Sequence, residues 1–515
     1  MNVQRKLSVM LTGTLALGAV LSACGSDSGT ENPAVSGTSA QQTAQASKAP
    51  EKPTEISIMT TYYTPEPPGD DNAVLKEIEK RTNTKLKITW VSPNNYNDKA
   101  NVTLASGDIP DMMLILDTFH PQVRTMTAQG AFWDLTNIYK NYPNLAKYPK
   151  DTWNNLRQSD GKNYGVPRVR PVEGGLFPYL RKDWLDKLGL KVPTNMDELY
   201  TVMKAFTEKD PDGNGKADTM GLSGYVNIDN MGYLGWVQAV FNRTTGGWKL
   251  DNGKLSSVDF TPETREALLW LNKAYKEKLI PEDFSVMKHS QAKDLVISGK
   301  AGAFADTVEA AWEPTATLRK TIPGADYLPL SSLNNYTARE MGSFGMYMIP
   351  KSVPEAKMKK ILEFLDFGSS DEGHELGNYG IQGTYFTLED GVYKTKEQHT
   401  KESIASYGQL FAKYDKYFRA YRAGITKDVW ERNKKIIDER EKVSVPDYAI
   451  GLFSETSLKV GPELNKKTQD MKTKVIMGKE PITAWDEYVN KLKTDADFVK
   501  ISNEMNESYK KRSAQ

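Results

Sequence analysis

The fold is decided by the stretch Glu55–Tyr63 (EISIMTTYY), in which Ile56, Ile58 and Thr60 occupy alternate positions. Alternation of this kind predicts a β-strand with one buried face. The loop Pro65–Gly69 then ends the pattern, because proline and glycine disfavour a continuing strand. The body of the chain therefore opens on a strand whose carboxyl end carries two tyrosines.

Two more strand-like stretches follow at short intervals. The segments are a helix around Val74–Ile78, a strand over Lys85–Trp90, a helix over Tyr96–Ser106 and an apolar strand over Asp111–Leu116. This β-α-β-α-β order predicts parallel strands layered with helices, an α/β fold class. Ligands of such sheets bind beyond the carboxyl ends of the strands. Tyr62, Asp117 and Thr118 stand at such ends, so we expect them to contribute to a binding site.

A leader precedes this body. Arg5 and Lys6 are followed by the apolar run Leu7–Leu21, and Leu21–Cys24 (LSAC) contains the only cysteine. Basic residues, an apolar run and small residues before a cut are typical of a secretory signal, here residues 1–23. At 15 residues the run spans about 22 Å as a helix, against roughly 30 Å for a bilayer core. The LSAC ending resembles the bacterial lipobox, whose cysteine receives diacylglycerol and acyl (palmitate) chains. An ordinary signal peptide with an incidental cysteine is the alternative.

We therefore expect the protein on the extracellular face of the cell membrane, anchored by lipid at Cys24. Gly25–Pro50 is rich in Ser, Thr, Ala and Gln and contains no aromatic residue, so it cannot form a core. Residues 24–53 are accordingly predicted to comprise the lipidated cysteine and a flexible linker.

Composition narrows the function classes. The formal net charge is +1 over 515 residues, which argues against a nucleic-acid binder. With Cys24 lipidated no disulfide can form, so stability must come from burial of a core.

The segment Asp210–Thr219 (DPDGNGKADT) resembles part of a calcium-binding loop. An EF-hand loop supplies oxygen ligands at positions 1, 3, 5, 7 and 9, with glycine at position 6. The corresponding groups are the side chains of Asp210, Asp212, Asn214 and Asp218 and the carbonyl of Lys216, with Gly215 as the sixth residue. The twelfth position is Gly221 in place of the usual glutamate. We expect one structural Ca²⁺; the alternative is a turn without an ion.

Several aromatic residues lie near predicted strand ends and loops, and some of them have acidic or amide neighbours. They are Tyr62, Tyr233, Trp236, Trp312 and Tyr385, with Asp306 close to Trp312 in sequence. Aromatic faces pack on the C–H faces of sugar rings, while carboxylates and amides bind the hydroxyl groups. This combination predicts a sugar site; for each single aromatic residue, a place in the core is the alternative.

Arg168 and Arg170 share one face of an extended segment, and Glu173 follows. Two arginines on one face are suited to binding a sugar carboxylate. Ion pairs that line a hinge are an equally good interpretation.

The sequence offers no clear catalytic machinery. The histidines are scattered, and no Gly-x-Ser-x-Gly motif is present. We therefore predict no catalytic residues, although paired carboxylates for glycoside hydrolysis are compatible with 66 acidic residues.

Several segments together carry a family resemblance. They are Leu104–Asp111 (LASGDIPD), Trp184–Thr194 (WLDKLGLKVPT), Gly299–Asp306 (GKAGAFAD) and Phe364–Gly373 (FLDFGSSDEG). With the lipobox, the linker and the Asp210 loop, they resemble the extracellular solute-binding lipoproteins of carbohydrate ABC importers in Gram-positive bacteria. The resemblance implies a two-lobed periplasmic-binding-protein fold, each lobe α/β, with a ligand cleft between the lobes and several hinge crossings. The implied lobes are residues 54–168 with 343–400, and residues 169–342 with 401–515; the implied hinges are Val166–Gly175 and Met341–Pro350.

The resemblance also implies site residues. By analogy with maltose-binding relatives, Asp117 and Thr118, Trp312 beside Asp306, and Tyr233 with Trp236 would contact sugar. The Asp210 loop resembles the single Ca²⁺ site of alginate-oligosaccharide-binding relatives, except that Thr219 replaces an acid after the ninth loop position.

The function implied is a monomer that binds an oligosaccharide and delivers it to the permease of an ABC transporter. A surface-anchored carbohydrate-active enzyme, and a binding protein for a peptide or another organic solute, are the alternatives.

Overall fold

The structure is a computed structural model that describes residues 52–389, 391–422 and 424–513. The predicted signal peptide, Cys24 and nearly all of the linker lie outside these residues, so those predictions stay predictions. Within the described ranges, no helix combines the length and the apolar character that crossing a bilayer requires.

The strands are β1 (Thr54–Thr61), β2 (Thr84–Val91), β3 (Met112–Ile115), β4 (Gly165–Val169), β5 (Phe177–Arg181), β6 (Trp248–Asp251), β7 (Lys254–Ser257), β8 (Ala303–Asp306), β9 (Tyr327–Pro329), β10 (Thr337–Ala338), β11 (Ser343–Met348), β12 (Phe386–Glu389), β13 (Val392–Thr395) and β14 (Ser444–Val445).

The helices are α1 (Ala73–Thr82), α2 (Pro93–Ser106), α3 (Pro121–Ala128), α4 (Lys150–Asn155), α5 (Lys182–Leu188), α6 (Met196–Glu208), α7 (Gly235–Asn242), α8 (Pro262–Lys276), α9 (His289–Ile297), α10 (Trp312–Leu318), α11 (Glu355–Gly368), α12 (Asp371–Tyr379), α13 (Glu397–Lys401), α14 (Lys427–Glu441), α15 (Glu455–Ile476), α16 (Ile482–Thr494) and α17 (Ala496–Ser513).

The first sheet has the strand order β2-β1-β3-β11-β4. β1 pairs in parallel with β2 and β3, whereas β11 pairs antiparallel with β3 and β4. The β-α-β-α-β order predicted for the first part of the body is confirmed. Helix α2 ends at Gly107, whose φ of 74° lies in the left-handed region, as its sequence position indicates.

The second sheet is short and antiparallel, with the order β8-β5-β9. Long helices surround it, including α6, α8, α15 and α16, which contribute the apolar faces of a separate core. Helix α6 is capped by Asn195, whose side chain accepts from the backbone amide of Glu198 at 2.9 Å. Both sheets are layered with helices, so the predicted two-lobed α/β fold class is confirmed.

Each sheet has its own hydrophobic core. The first core contains residues from 56–169 and 346–411, and the second contains residues from 177–336 and 475–489. The first core includes Ile404, Tyr407, Leu410 and Phe411, which the boundary at residue 400 assigns to the other lobe. Their apolar side chains pack against the first sheet, so this lobe extends beyond residue 400.

The chain passes between the two cores three times within the described ranges. The first crossing follows Val169, the second precedes β11, and the third follows Phe411. The first two crossings are joined as a ribbon: the amide of Arg170 donates to the Gly342 carbonyl at 2.9 Å, and the amide of Glu340 donates to Val172 at 2.8 Å.

Candidate functional site

The carboxyl edge of the first sheet gathers predicted residues from three strands. β1 and β3 are parallel, and β4 points the same way because β3 and β4 both pair antiparallel with β11. Tyr62, Asp117 and Arg168 therefore lie at or near one edge. This is the edge of an α/β sheet at which ligands bind.

Arg168 is buried at this edge, and no carboxylate of the described residues forms an ion pair with it. The residue is 3 % exposed, and its guanidinium lies 5.2 Å from the centroid of the Phe344 ring. Phe344 is exposed and makes an edge-to-face contact with exposed Tyr63, with centroids 6.4 Å apart. Nε and Nη1 of Arg168 have no hydrogen-bond partner in the described chain. Burial lowers the pKa of Arg168.

Arg170 faces a cluster of charges at the crossings. Burial, together with the like charges of Arg168 and Arg419, lowers the pKa of Arg170 to about 9, and Glu309 and Glu340 oppose this change. Arg419 donates to Glu309 at 3.1 Å and to Glu340 at 2.9 Å. Both carboxylates are therefore directly paired with Arg419, and they act on Arg170 only through the electrostatic field.

The other predicted residues at the first edge are partly engaged in the fold. Tyr62 is half-buried, and its amide donates to the adjacent strand β2 at 3.3 Å. Thr118 is 2 % exposed, and its carbonyl accepts from Gln158 at 2.9 Å. The exposed Asp117 carboxylate accepts from the amide of Phe119 at 3.2 Å. The Tyr62 ring and the Asp117 carboxylate remain the accessible groups of this set.

A cavity of about 500 Å³ lies in the second lobe beside the second crossing. Its volume is within the range of roughly 300–1,000 Å³ that ligand pockets occupy. Aromatic, carboxylate and amide side chains share its lining: Phe177, Trp236, Gln238, Asp259, Tyr336 and Glu340. Trp236 is 5 % exposed, and its indole Nε1 has no hydrogen-bond partner in the described chain. This lining combines flat apolar rings with groups that bind hydroxyls.

A lysine from a distant helix completes one wall of the cavity. Lys472 of α15 is buried and lies 2.6 Å from the Asp259 carboxylate. Its Nζ also donates to the side-chain oxygen of Gln238 at 3.0 Å. The charge of Lys472 is therefore compensated within the protein, in contrast to that of Arg168.

Tyr233 and Asp306 are close to one another but lie among core aromatic rings. The Tyr233 ring is nearly parallel to those of Tyr225 and Phe304, at centroid distances of 5.1 and 5.4 Å. Burial, with a contribution from the Asp306 carboxylate, raises the pKa of Tyr233 to about 12. In the sheet, Asp306 pairs with Phe177, which packs against Trp236 at 6.5 Å between centroids. The ring of Tyr233 thus packs in the core. Asp306 does not line the cavity itself, but its strand partner Phe177 does.

Trp312 and Tyr385 do not line this cavity. Trp312 is 7 % exposed, and the guanidinium of Arg319 lies 5.3 Å from its ring centroid. Tyr385 is 2 % exposed in the first core, where its hydroxyl donates to Glu402 at 2.7 Å. The packing of Tyr385 agrees with the alternative of a core residue, because its ring and its hydroxyl are both used internally.

Glu173 lies in the first crossing and pairs away from the two predicted arginines. It is 3 % exposed, lies 3.5 Å from Arg339 Nε, and accepts from the Ser444 hydroxyl at 3.2 Å. Burial raises the pKa of Glu173 despite Arg339. Ion pairs that line a hinge were one interpretation of the sequence. Glu173 and Arg339 form such a pair at the crossing.

The Asp210 loop has the local turns of an EF-hand loop. The Asp210 carboxylate accepts from three backbone amides, those of residues 213–215, at 2.9–3.1 Å. The side-chain amide nitrogen of Asn214 donates to the carboxylates of Asp212, at 2.7 Å, and Asp218, at 3.0 Å. Partial desolvation and the neighbouring carboxylates raise the pKa of Asp212. These oxygen donors are of the type that Ca²⁺ prefers.

The loop is nevertheless not a preformed metal site. In the part of the chain that the structure describes, no three His, Cys, Asp or Glu side chains are grouped to hold a metal ion. The nitrogen of the Asn214 amide, and not its oxygen, faces the carboxylates, so this amide must turn to ligate a cation. The residues are compatible with Ca²⁺ after this local change.

Sequence reasoning missed the residues that come from distant segments. Arg419, Glu340 and Lys472 belong to regular helical or loop patterns without a local signal, and only the fold brings them to the crossings and the cavity. Tyr63 and Phe344 were within reach, because both lie at the ends of strands of the first sheet.

Comparison with known proteins identifies the family. The model of the family described as "Bacterial extracellular solute-binding protein" matches residues 64–375. Lipoprotein LipO of Bacillus subtilis (strain 168) is 33% identical over 450 residues, which cover 84% of this chain and 88% of that protein. The polygalacturonan/rhamnogalacturonan-binding protein YtcQ of the same organism is 31% identical over 507 residues, covering 95% of each chain.

Solved structures share the fold. A protein named as an HMO-binding, ABC-transporter-associated solute-binding protein from Bifidobacterium longum infantis aligns with a TM-score of 0.69 at 21% identity, covering 90% of this chain and 99% of that one. The alginate-binding protein AlgQ2, solved without calcium ion, aligns with a TM-score of 0.62 at 21% identity, covering 89% and 98%. These relatives are described as lipoproteins or binding proteins. The resemblance seen in the sequence is confirmed: this chain belongs to the bacterial extracellular solute-binding protein family.

Proposed function

We propose that this protein is the oligosaccharide-binding lipoprotein of an ABC importer, which binds its guest between two lobes and delivers it unaltered to the permease. The observation that carries the proposal is the cavity of about 500 Å³ whose lining joins Phe177, Trp236 and Tyr336 to carboxylate and amide groups. Such a lining binds both faces of a sugar, the apolar C–H face and the hydroxyl edge.

The three crossings support closure around the guest. Two lobes with separate cores, joined by a few segments, move as rigid bodies about those segments. A ligand that contacts both lobes stabilises the closed arrangement, because it gains contacts there that the open arrangement lacks. The proposed contacts are the first-lobe edge with Tyr62, Asp117 and Arg168, and the second-lobe wall with Trp236 and Asp306.

For Thr118, Glu173, Tyr233 and Tyr385, the packing described above favours a structural role, whereas Trp312, which lies beside Arg319, stays a proposed sugar contact. The proposed lobe boundaries follow the prediction, except that residues 401–412 are assigned to the first lobe. The protein is proposed to act as a monomer.

The lipid anchor is part of the proposal. It rests on the LSAC sequence at Cys24 and on the similarity to a protein named as a lipoprotein. A diacylglycerol at Cys24 would hold the body near the permease through the linker, at the outer face of the membrane.

Calcium is proposed as a structural ion of the Asp210 loop. Asp210, Asp212, Asn214, Asp218 and the Lys216 carbonyl would hold it, and the ion would neutralise the facing carboxylates. AlgQ2, whose fold is similar, is named with reference to calcium.

The proposal is tested with the full mature chain and a panel of labelled oligosaccharides. Calorimetry is expected to detect binding, small-angle scattering to detect compaction on binding, and chromatography to recover the sugar at its original length. A shortened sugar would indicate a carbohydrate-active enzyme instead. Binding of peptides with no binding of any sugar would assign the cleft to another class of solute.

A further inference from the structure

One carboxylate in the second-lobe cavity has an oxygen that the protein leaves free. Asp259 lies between β7 and α8 and lines the cavity, and its side chain is 19 % exposed. Its Oδ1 lies 2.6 Å from Nζ of Lys472 and accepts from Nε2 of Gln238 at 3.2 Å. Its Oδ2 accepts no hydrogen bond from the described residues, and it is not among the polar atoms that are closed off from solvent. This oxygen is therefore open to a molecule in the cavity.

Lys472 fixes the carboxylate from a distant part of the chain. The residue belongs to α15 and is 6 % exposed, and its Nζ lies 5.8 Å from the centroid of the Trp485 ring. The same Nζ donates to the side-chain oxygen of Gln238 at 3.0 Å, so the nitrogen of that amide points to Asp259. A buried cation is stable only when it is compensated in this way. Because both donors use Oδ1, they hold the carboxylate and leave Oδ2 on the open side.

The cations that line the cavity are both engaged within the protein. Lys472 is held as described above, and Arg339 lies 3.1 Å from Asp151 and 3.5 Å from Glu173. Three acidic side chains share the same lining. A guest in this cavity therefore meets carboxylate acceptors, which suit the O–H donors of a sugar.

We infer that Asp259 determines specificity in the second-lobe cavity: its Oδ2 accepts a hydrogen bond from one hydroxyl group of the bound sugar, and Lys472 is a positioning residue that orients this carboxylate. The inference rests on the proposed function of the same cavity. A hydroxyl that donates to a carboxylate forms a charge-assisted hydrogen bond. A sugar that lacks this hydroxyl would take water away from Oδ2 without supplying a donor, so the site would reject it.

The test uses maltotriose, kestose and trigalacturonate as probes, measured by calorimetry on the full mature chain. Asp259→Asn keeps the shape of the side chain. Its amide oxygen would stay with Lys472 and its NH2 group would take the place of Oδ2, so an acceptor becomes a donor. The probe that the wild-type protein binds most tightly is expected to bind this variant about 10- to 100-fold more weakly.

Monodeoxy derivatives of that probe identify the hydroxyl that Asp259 contacts. In the wild-type protein, removal of one particular hydroxyl should weaken binding by about 10- to 100-fold. In Asp259→Asn, the same derivative should bind within about threefold of the parent probe, because the contact is already lost. If Asp259→Asn alone fails to fold, this comparison is made on Asp259→Asn with Lys472→Met, which removes both charges together.

Lys472→Met tests the positioning role. This change should weaken binding of the parent probe by about tenfold in the wild-type protein but by less than about threefold in Asp259→Asn, because Lys472 acts through that carboxylate. A lysine with only a structural role would give equal losses in both proteins. Lys249→Met breaks a second-lobe pair with Glu263 outside the cavity, so it is the matched control and should leave the affinity unchanged.

Unchanged affinity in Asp259→Asn, or equal effects of every monodeoxy derivative on both proteins, would overturn the role of Asp259. Equal losses from Lys472→Met in both proteins would overturn the positioning role. Either result, with a probe still bound by the wild-type protein, would leave the proposed function intact. Failure of all three probes to bind would refute this inference, and failure of every oligosaccharide to bind would refute the proposed function as well.

Discussion

Arg419 and Glu340 belong to different crossings between the lobes, and Nη2 of Arg419 donates to Oε2 of Glu340 at 2.9 Å. The same guanidinium also donates to Glu309, which lies in the second lobe. One side chain thus links the third crossing to the second crossing and to the segment of the second lobe that follows β8. Burial raises the pKa of Glu309, and Arg419 opposes this change.

The first prediction concerns this link. Arg419→Met should lower the free energy of unfolding at pH 7 by about 2–3 kcal/mol, because Glu309 loses its counter-ion in a largely buried place. Its folded-state pKa would rise further above the unfolded value, so the loss should shrink as the pH falls through that raised pKa and the carboxyl becomes neutral. Urea unfolding at several pH values measures this.

Arg265→Met is the control for this link, because its pair with Asp486 is partly exposed and contributes at most about 1 kcal/mol. If Arg419→Met were as stable as Arg265→Met at neutral pH, the link would have no structural role.

The second prediction concerns the cavity. Trp236→Phe keeps an aromatic ring but removes the unpartnered indole N–H, and affinity for the bound oligosaccharide should fall by up to about tenfold. Trp184→Phe is a matched control, since Trp184 is also buried with an unpartnered Nε1 but does not line the cavity. Calorimetry should show unchanged affinity for the control. Equal losses in both variants would contradict a ligand contact at Trp236.

The third prediction concerns acid stability of the first lobe. Burial raises the pKa of Asp111, but donors from Lys357 and Ser57, at 2.7 and 2.8 Å, outweigh it and lower the pKa below 3.8. A lowered folded-state pKa stabilises the fold above the unfolded value, and this contribution is lost as the pH falls through the folded one. Asp111→Asn should therefore cost about 2 kcal/mol at pH 7 and progressively less below pH 3.8.

Asp108→Asn, a few residues away on the exposed loop before β3, is the control and should be neutral. Urea titrations of both variants at pH 7 and pH 3 would detect the difference. A constant deficit of Asp111→Asn at both pH values would contradict the electrostatic origin.

The fourth prediction concerns calcium. Free Ca²⁺ at 100 times its dissociation constant should stabilise the protein by about 2.7 kcal/mol, and a chelator should reverse this shift in melting temperature. Asp210→Asn should abolish the response, whereas Asp251→Asn on the β6–β7 hairpin should retain it. The same melting temperature with calcium and with chelator would refute an ion in the loop.

Local sequence patterns predict the first sheet well, because β1, α1, β2, α2 and β3 follow one another with short connections. The alternation in Ile56–Thr60 and the apolar run before Asp117 each report burial over a few residues. The second sheet is less accessible, since β5, β8 and β9 meet across more than a hundred residues and carry no shared pattern.

The candidate site was predicted only in part, because local patterns do not report contacts between distant segments. Arg168 was found because two arginines alternate on an extended segment, but its missing counter-ion is visible only in three dimensions. Tyr385 was selected as an aromatic residue near a loop. Its position in the core depends on Glu402 and on the packing of residues 404–411, which no local pattern reports.

The ribbon formed by the amides of Arg170 and Glu340 with the carbonyls of Gly342 and Val172 limits the mechanics of the molecule. Two hydrogen-bonded strands flex easily out of their common plane but resist sliding and swivelling, and the third segment adds another restraint. The motion that opens and closes the two lobes should therefore follow a single path. Every bound ligand should then produce the same closed outer surface for contact with the transporter.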